Sequence, residues 1–108
     1  MTVLAERDRM RAEARRELFA VTRQRLREAL HDLAPGHAFW IFGSLVRPGV
    51  FNAASDIDIA FTTLPPGVSE FSFGAELEER LGRSVDALDL ARTRLRKKIE
   101  REGERWIA

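Results

Sequence analysis

The residues with the clearest chemical potential are two aspartates in the segment Ser55-Asp56-Ile57-Asp58-Ile59-Ala60. Side chains alternate along a strand, so in extended backbone both carboxylates point to one face while Ile57 and Ile59 anchor the other. Two like charges that close repel, and one would take up a proton unless a cation neutralises them. Magnesium does so, bound by one or two carboxylates together with substrate phosphates and water. For this pair alone the plainer reading, the wet face of an exposed strand, stays equally open, although aspartate suits strand interiors poorly.

Two further pieces lie on either side of the pair. Gly43-Ser44 stands an eleven-residue gap (45–55) before Asp56, directly after a short apolar run. Glycine at a strand end lets backbone come close to a ligand, and a serine there can donate its hydroxyl and N–H to a phosphate. A tight turn with a helix N-cap explains the same dipeptide. Downstream, Val85-Asp86-Ala87-Leu88-Asp89-Leu90 offers a third carboxylate, as metal ligand or as the base that takes a hydroxyl proton. The period of two puts Asp86 and Asp89 on opposite faces, so a regular strand brings at most one to the site. Asp89 reads better as a strand-end cap or surface residue.

Simple elements must position these groups. Glu6 to Leu33 is free of Gly and Pro, with Leu18, Val21, Leu26, Ala29, Leu30 and Leu33 at helical spacing, while residues 1–10 of the chain are expected to fray. Pro35-Gly36 ends it. Ala38-Phe39-Trp40-Ile41-Phe42 reads as a buried strand, Leu45 to Ala54 as a loop opening with a helical turn, and Asp56 to Thr62 as a second strand. Phe71 to Leu81 is helical, with Gly82 as its cap. Ser84 to Leu90 is a third strand, Ala91 to Glu102 a basic helix, and Glu104 to Ala108 a short edge strand. The order α-β-β-α-β-α predicts an α/β sandwich of the α+β type with a small mixed sheet, as one domain over residues 1–108.

Composition narrows the class. The chain is 44% hydrophobic and 32% charged, as in soluble globular domains. No apolar run is long enough for a transmembrane span, and residues 1–16 lack the apolar core of a secretory signal. Cysteine is absent, which excludes disulfides and thiolate metal sites and suggests a cytoplasmic location. Net charge is +1 but uneven: residues 36–90 are acidic, which suits a cation site, and residues 91–108 are basic. Arg92, Arg94, Arg96, Lys97, Lys98 and Arg101 of that tail face phosphates, an acidic partner or simply water. His31 and His37, flanking the Pro-Gly turn, read as structural or exposed. Trp106 reads as core or interface.

Phe42-Gly43-Ser44, the gap, Asp56-Ile57-Asp58-Ile59 and the later Asp86 together resemble the signature of the DNA polymerase β-like nucleotidyltransferase superfamily. The nearest pattern is that of the minimal nucleotidyltransferase (MNT) domain, over almost the whole chain to Arg101-Glu102-Gly103. The resemblance implies the polymerase β palm-like fold and transfer of a nucleoside monophosphate from a nucleoside triphosphate to a hydroxyl with Mg²⁺, two ions being usual. It implies Asp56, Asp58 and Asp86 as metal ligands and catalytic carboxylates. Gly43, Ser44, Arg47 and Ser55 would be the nucleotide-binding residues. The family loop often reads Arg-Gly; here it is Arg47-Pro48-Gly49, and proline fixes φ and removes an N–H.

The resemblance also implies a partner. Stand-alone MNT proteins resemble antitoxins of HEPN/MNT toxin–antitoxin pairs, in which AMP passes from ATP to a tyrosine of a HEPN ribonuclease toxin. With no acceptor domain in view, the acceptor is expected to dock from outside. Two alternatives stay open: a binding antitoxin without catalysis, and transfer to a small molecule. Membrane association and direct nucleic-acid binding are not expected.

Overall fold

The computed structural model describes residues 2–108. Helix α1 runs over Val3–Leu33, strand β1 over Ala38–Phe42, and a 3₁₀ turn over Gly43–Val46. Strand β2 follows at Ile57–Phe61, helix α2 at Glu70–Leu81, strand β3 at Val85–Asp89, helix α3 at Arg96–Glu102 and strand β4 at Glu104–Ile107. The four strands form one mixed sheet in the order β3-β2-β1-β4. β1 is antiparallel to both β2 and β4, and β2 is parallel to β3, reached through α2.

Alternation along the strands divides the sheet into two unequal faces. Phe39 and Ile41 of β1 and Ile57, Ile59 and Phe61 of β2 turn to one face, against Leu26 and Leu30 of α1 and Phe73, Leu77 and Leu81 of α2. Phe39 and Phe73 stack with ring centroids 5.5 Å apart. Each such side chain contributes about 1.5–3 kcal/mol when fully buried. The opposite face is thinner: Ala60, Leu90 and Ile99 are buried there, with Trp40, Phe42 and Leu88 packed around them. The short α3 and the turns beside it cover that face, which leaves room for a cavity.

Two elements differ from the sequence expectation. α1 starts at Val3 rather than Glu6, because the Thr2 hydroxyl accepts the Ala5 N–H at 3.1 Å and caps the helix. At about 1.5 Å per residue, its 31 residues span roughly 46 Å, within a molecule whose long axis is 56 Å. α3 begins at Arg96 rather than Ala91. The Asp89 carboxylate accepts the Ala91 N–H, its carbonyl accepts those of Arg92 and Thr93, and the Thr93 hydroxyl accepts that of Leu95. Those bonds hold residues 90–95 as turns. β4 forms the expected short edge strand, which follows the α-β-β-α-β-α series.

One half-buried cation ties the far elements together. Arg23 of α1 donates to the Leu45 carbonyl at 2.8 Å and to the Glu104 carboxylate at 2.6 Å. Its guanidinium also lies over the rings of Phe19 and Trp106. Trp106 is buried, as core. Among the described residues no helix is long and apolar enough to cross a membrane.

Candidate active site

Two strand registers meet at Asp58. Its antiparallel partner is Phe42, the last residue of β1, and its parallel partner is Asp86 on β3. Paired residues share a face, with neighbouring strands about 4.8 Å apart. Asp58, Asp86 and the corner that follows Phe42 therefore lie together on the thin face, under α3. This register also decides between the two aspartates of β3. Asp89 pairs with Phe61 on the other side, caps the following turn, and lies 3.7 Å from Arg92.

The corner is made by Gly43. Its φ of +72° is left-handed backbone, and a Cβ placed on it would run into the carboxylate of Asp58. A residue with a side chain is strained there and would displace the Asp58 carboxylate. Beyond Gly43 the 3₁₀ turn carries Ser44 and leads to Arg47.

These residues line a cavity of about 320 Å³, within the range of small-molecule sites. Gly43, Ser44, Arg47, Asp58 and Asp86 are on its wall, with Lys98 and Glu102 of α3 opposite and Phe42, Leu88, Leu95 and Ile99 supplying apolar surface. Asp56 and Ser55 are not on that wall. Asp56 is exposed, one residue before β2, and its charge still reaches Asp58. The Ser55 hydroxyl accepts the Asn52 N–H at 3.0 Å and closes its own turn. Arg83, lying over Phe51, donates to the Ser55 carbonyl at 2.7 Å and holds that turn in place. His31 is exposed, and Nδ1 of His37 lies 3.1 Å from the Thr63 hydroxyl, away from the cavity.

The electrostatics fit a cation. Burial, then the neighbouring charges of Asp86 and Asp56, push the Asp58 carboxyl from 3.8 up to about 6. Among the described residues, none of these three carboxylates is paired with a lysine or arginine. Nor do three His, Asp or Glu side chains stand together as a ready-made metal shell among the described residues. A half-buried, uncompensated carboxylate beside a second one suits Mg²⁺, which takes one or two protein carboxylates and completes its shell with phosphate and water.

Sequence reasoning did not single out Lys98 and Glu102 as site residues. The signal for Lys98 is the stripe Leu95, Lys98, Ile99, Glu102, which is one face of a helix at i, i+3, i+4, i+7 spacing. Glu102 has no signal beyond that.

A mixed sheet presenting paired carboxylates beside a Gly-Ser corner is the arrangement of a nucleotidyl-transferring domain. A family profile for the nucleotidyltransferase domain matches residues 23–106, and the chain belongs to that family. Solved structures share the fold. A toxin–antitoxin structure with AMP-PNP superposes with a TM-score of 0.61 at 24% identity, covering 79% of this chain and 73% of that one. The toxin–antitoxin MntA-HepT superposes with a TM-score of 0.58 at 21% identity, covering 82% and 73%. No curated protein matches the chain significantly.

Proposed function

We propose that the chain is a Mg²⁺-dependent nucleotidyltransferase that moves AMP from ATP to a hydroxyl of a partner protein, and that the partner is a helical HEPN-type ribonuclease toxin. The observation that carries the reading is the pairing of Asp58 with Asp86 beside Gly43, inside a cavity that also holds Arg47 and Lys98. Family membership supports the reaction class. The likeness to toxin–antitoxin structures, one holding AMP-PNP, supports the nucleotide and the partner.

In this reading Asp58 and Asp86 hold the metal, with Asp56 joining from the rim. When bound, Mg²⁺ supplies positive charge that offsets the carboxylates and the phosphates. Gly43 leaves the room that the Asp58 carboxylate needs, and Ser44 offers its hydroxyl and N–H to the triphosphate. Arg47 and Lys98 face the phosphates from opposite walls. Ser55 serves from behind, by fixing the turn that leads into Asp56. The acceptor oxygen forms a bond to the α-phosphorus and the bond to pyrophosphate breaks. The hydroxyl proton goes to Asp86, the more exposed of the paired carboxylates.

The test is intact mass. With ATP and Mg²⁺, an authentic partner should gain one AMP. No gain, under conditions where the two proteins bind, contradicts the transferase reading. A second reading, a binding antitoxin without catalysis, is favoured by the absence of a three-carboxylate shell among the described residues. Asp56→Asn with Asp58→Asn separates the two. Neutralisation of the partner survives the double substitution in the binding reading and fails in the catalytic one.

A further inference from the structure

Beside the active site, a groove between α2 and the open edge of β3 measures about 320 Å³ and shares Asp86 with it. We propose that this groove docks the acceptor polypeptide, as an extended segment with basic flanks that delivers its hydroxyl to Asp86. The proposal rests on the transferase reading above and adds the surface that recognises the acceptor.

Three observations converge. First, β3 is an edge strand. The bonds from Ile57 N–H to the Ser84 carbonyl and from Leu90 N–H to the Phe61 carbonyl direct the even-numbered residues of β3 toward β2. In a parallel pair this leaves the N–H and C=O of Ala87 on the outer edge, ready for an added strand. The Val85 N–H is already taken by the Glu78 carboxylate at 3.1 Å. Second, the groove is acidic: Glu70, Glu78 and Asp86 line it, and no lysine or arginine does. A basic polypeptide is attracted there and a nucleic acid is repelled. Third, Phe71 stands at its edge with 86% of its surface exposed. A large apolar side chain so placed suits the aliphatic part of a bound segment.

The test is a titration of the ¹⁵N-labelled chain, read by amide chemical shifts. The probes are Mg²⁺ with AMP-PNP and a nine-residue peptide alternating lysine and valine about a central tyrosine. The peptide should shift Gly74 and Ala87, and the same peptide with glutamate for lysine should not. Glu70→Lys with Phe71→Ser should weaken the lysine peptide at least tenfold and leave the AMP-PNP shifts at Ser44 unchanged. Peptide shifts elsewhere, equal binding of the acidic peptide, or an unaffected double variant would each overturn the groove. Concentration-dependent shifts at Ala87 without peptide would mean that a second copy of the chain occupies the edge, and would also overturn it. Absent AMP-PNP shifts at Ser44, with peptide shifts intact, would instead sink the transferase reading and leave the groove standing.

Discussion

A Cβ on Gly43 would collide with the carboxylate of Asp58. The turn after β1 and the cavity-facing side chain of β2 thus occupy adjoining space, and the glycine is a condition of the carboxylate's position. Gly43→Ala should therefore act twice. The left-handed backbone costs about 1–2 kcal/mol for an alanine, and Asp58 is displaced. Thermal unfolding should show a modest loss of stability, and titration with AMP-PNP and Mg²⁺ a loss of affinity of tenfold or more. Unchanged affinity would show that Asp58 does not need this corner.

Lys98 is the cation that α3 brings to the cavity, whereas Lys97, equally exposed, is off its wall. Lys98→Ala should raise KM for ATP about five- to tenfold, the effect of removing one charge-assisted contact to phosphate. Lys97→Ala should leave it unchanged. Equal effects of the two would reduce Lys98 to part of a general basic surface.

Gly103 closes α3 against β1. A Cβ there would lie 2.6 Å from the Ile99 carbonyl oxygen and 2.9 Å from that of Ile41. Neither oxygen can retreat easily, since both belong to regular backbone. Gly103→Ala should cost about 1–3 kcal/mol by overpacking and move Lys98 and Glu102 relative to Asp58. Denaturant unfolding together with a weakened AMP-PNP titration would show both effects.

The hydrogen bond from Arg23 holds the Glu104 carboxyl below its ordinary 4.5, aided by that from Trp106 and by the charges of Arg23 and Arg27, against the opposing effect of its burial. A carboxyl depressed in the folded state adds stability above its unfolded value, and loses it as pH falls through the folded value. The Glu104 side chain is 44% exposed, so solvent screening keeps the gain to about 1 kcal/mol or less. Melting curves should find Glu104→Gln less stable than the parent at pH 7, with the gap closing below pH 4.5. A gap that stays constant to low pH would contradict this account.

The chemistry of the chain was legible where local pattern sets it. Asp56, Asp58, Gly43 and Ser44 stand out from residue type and spacing, and Phe73, Leu77 and Leu81 announced the buried face of α2. Residue physics did not choose between Asp86 and Asp89, because the choice lies in the β2–β3 register, a contact between strands distant in sequence. Nor did it single out Lys98, whose role depends on which way a short helix faces after the Asp89 turn. Ser55, grouped with the nucleotide-binding residues from the resemblance, has its hydroxyl bonded within its own loop.

The most direct test of the account is calorimetric binding of AMP-PNP to the chain, with and without Mg²⁺, in the parent and in Asp58→Asn with Asp86→Asn. The account predicts binding that requires Mg²⁺ and vanishes in the double variant while its fold persists by circular dichroism. Binding that needs no divalent cation, or that survives loss of both carboxylates, would contradict it.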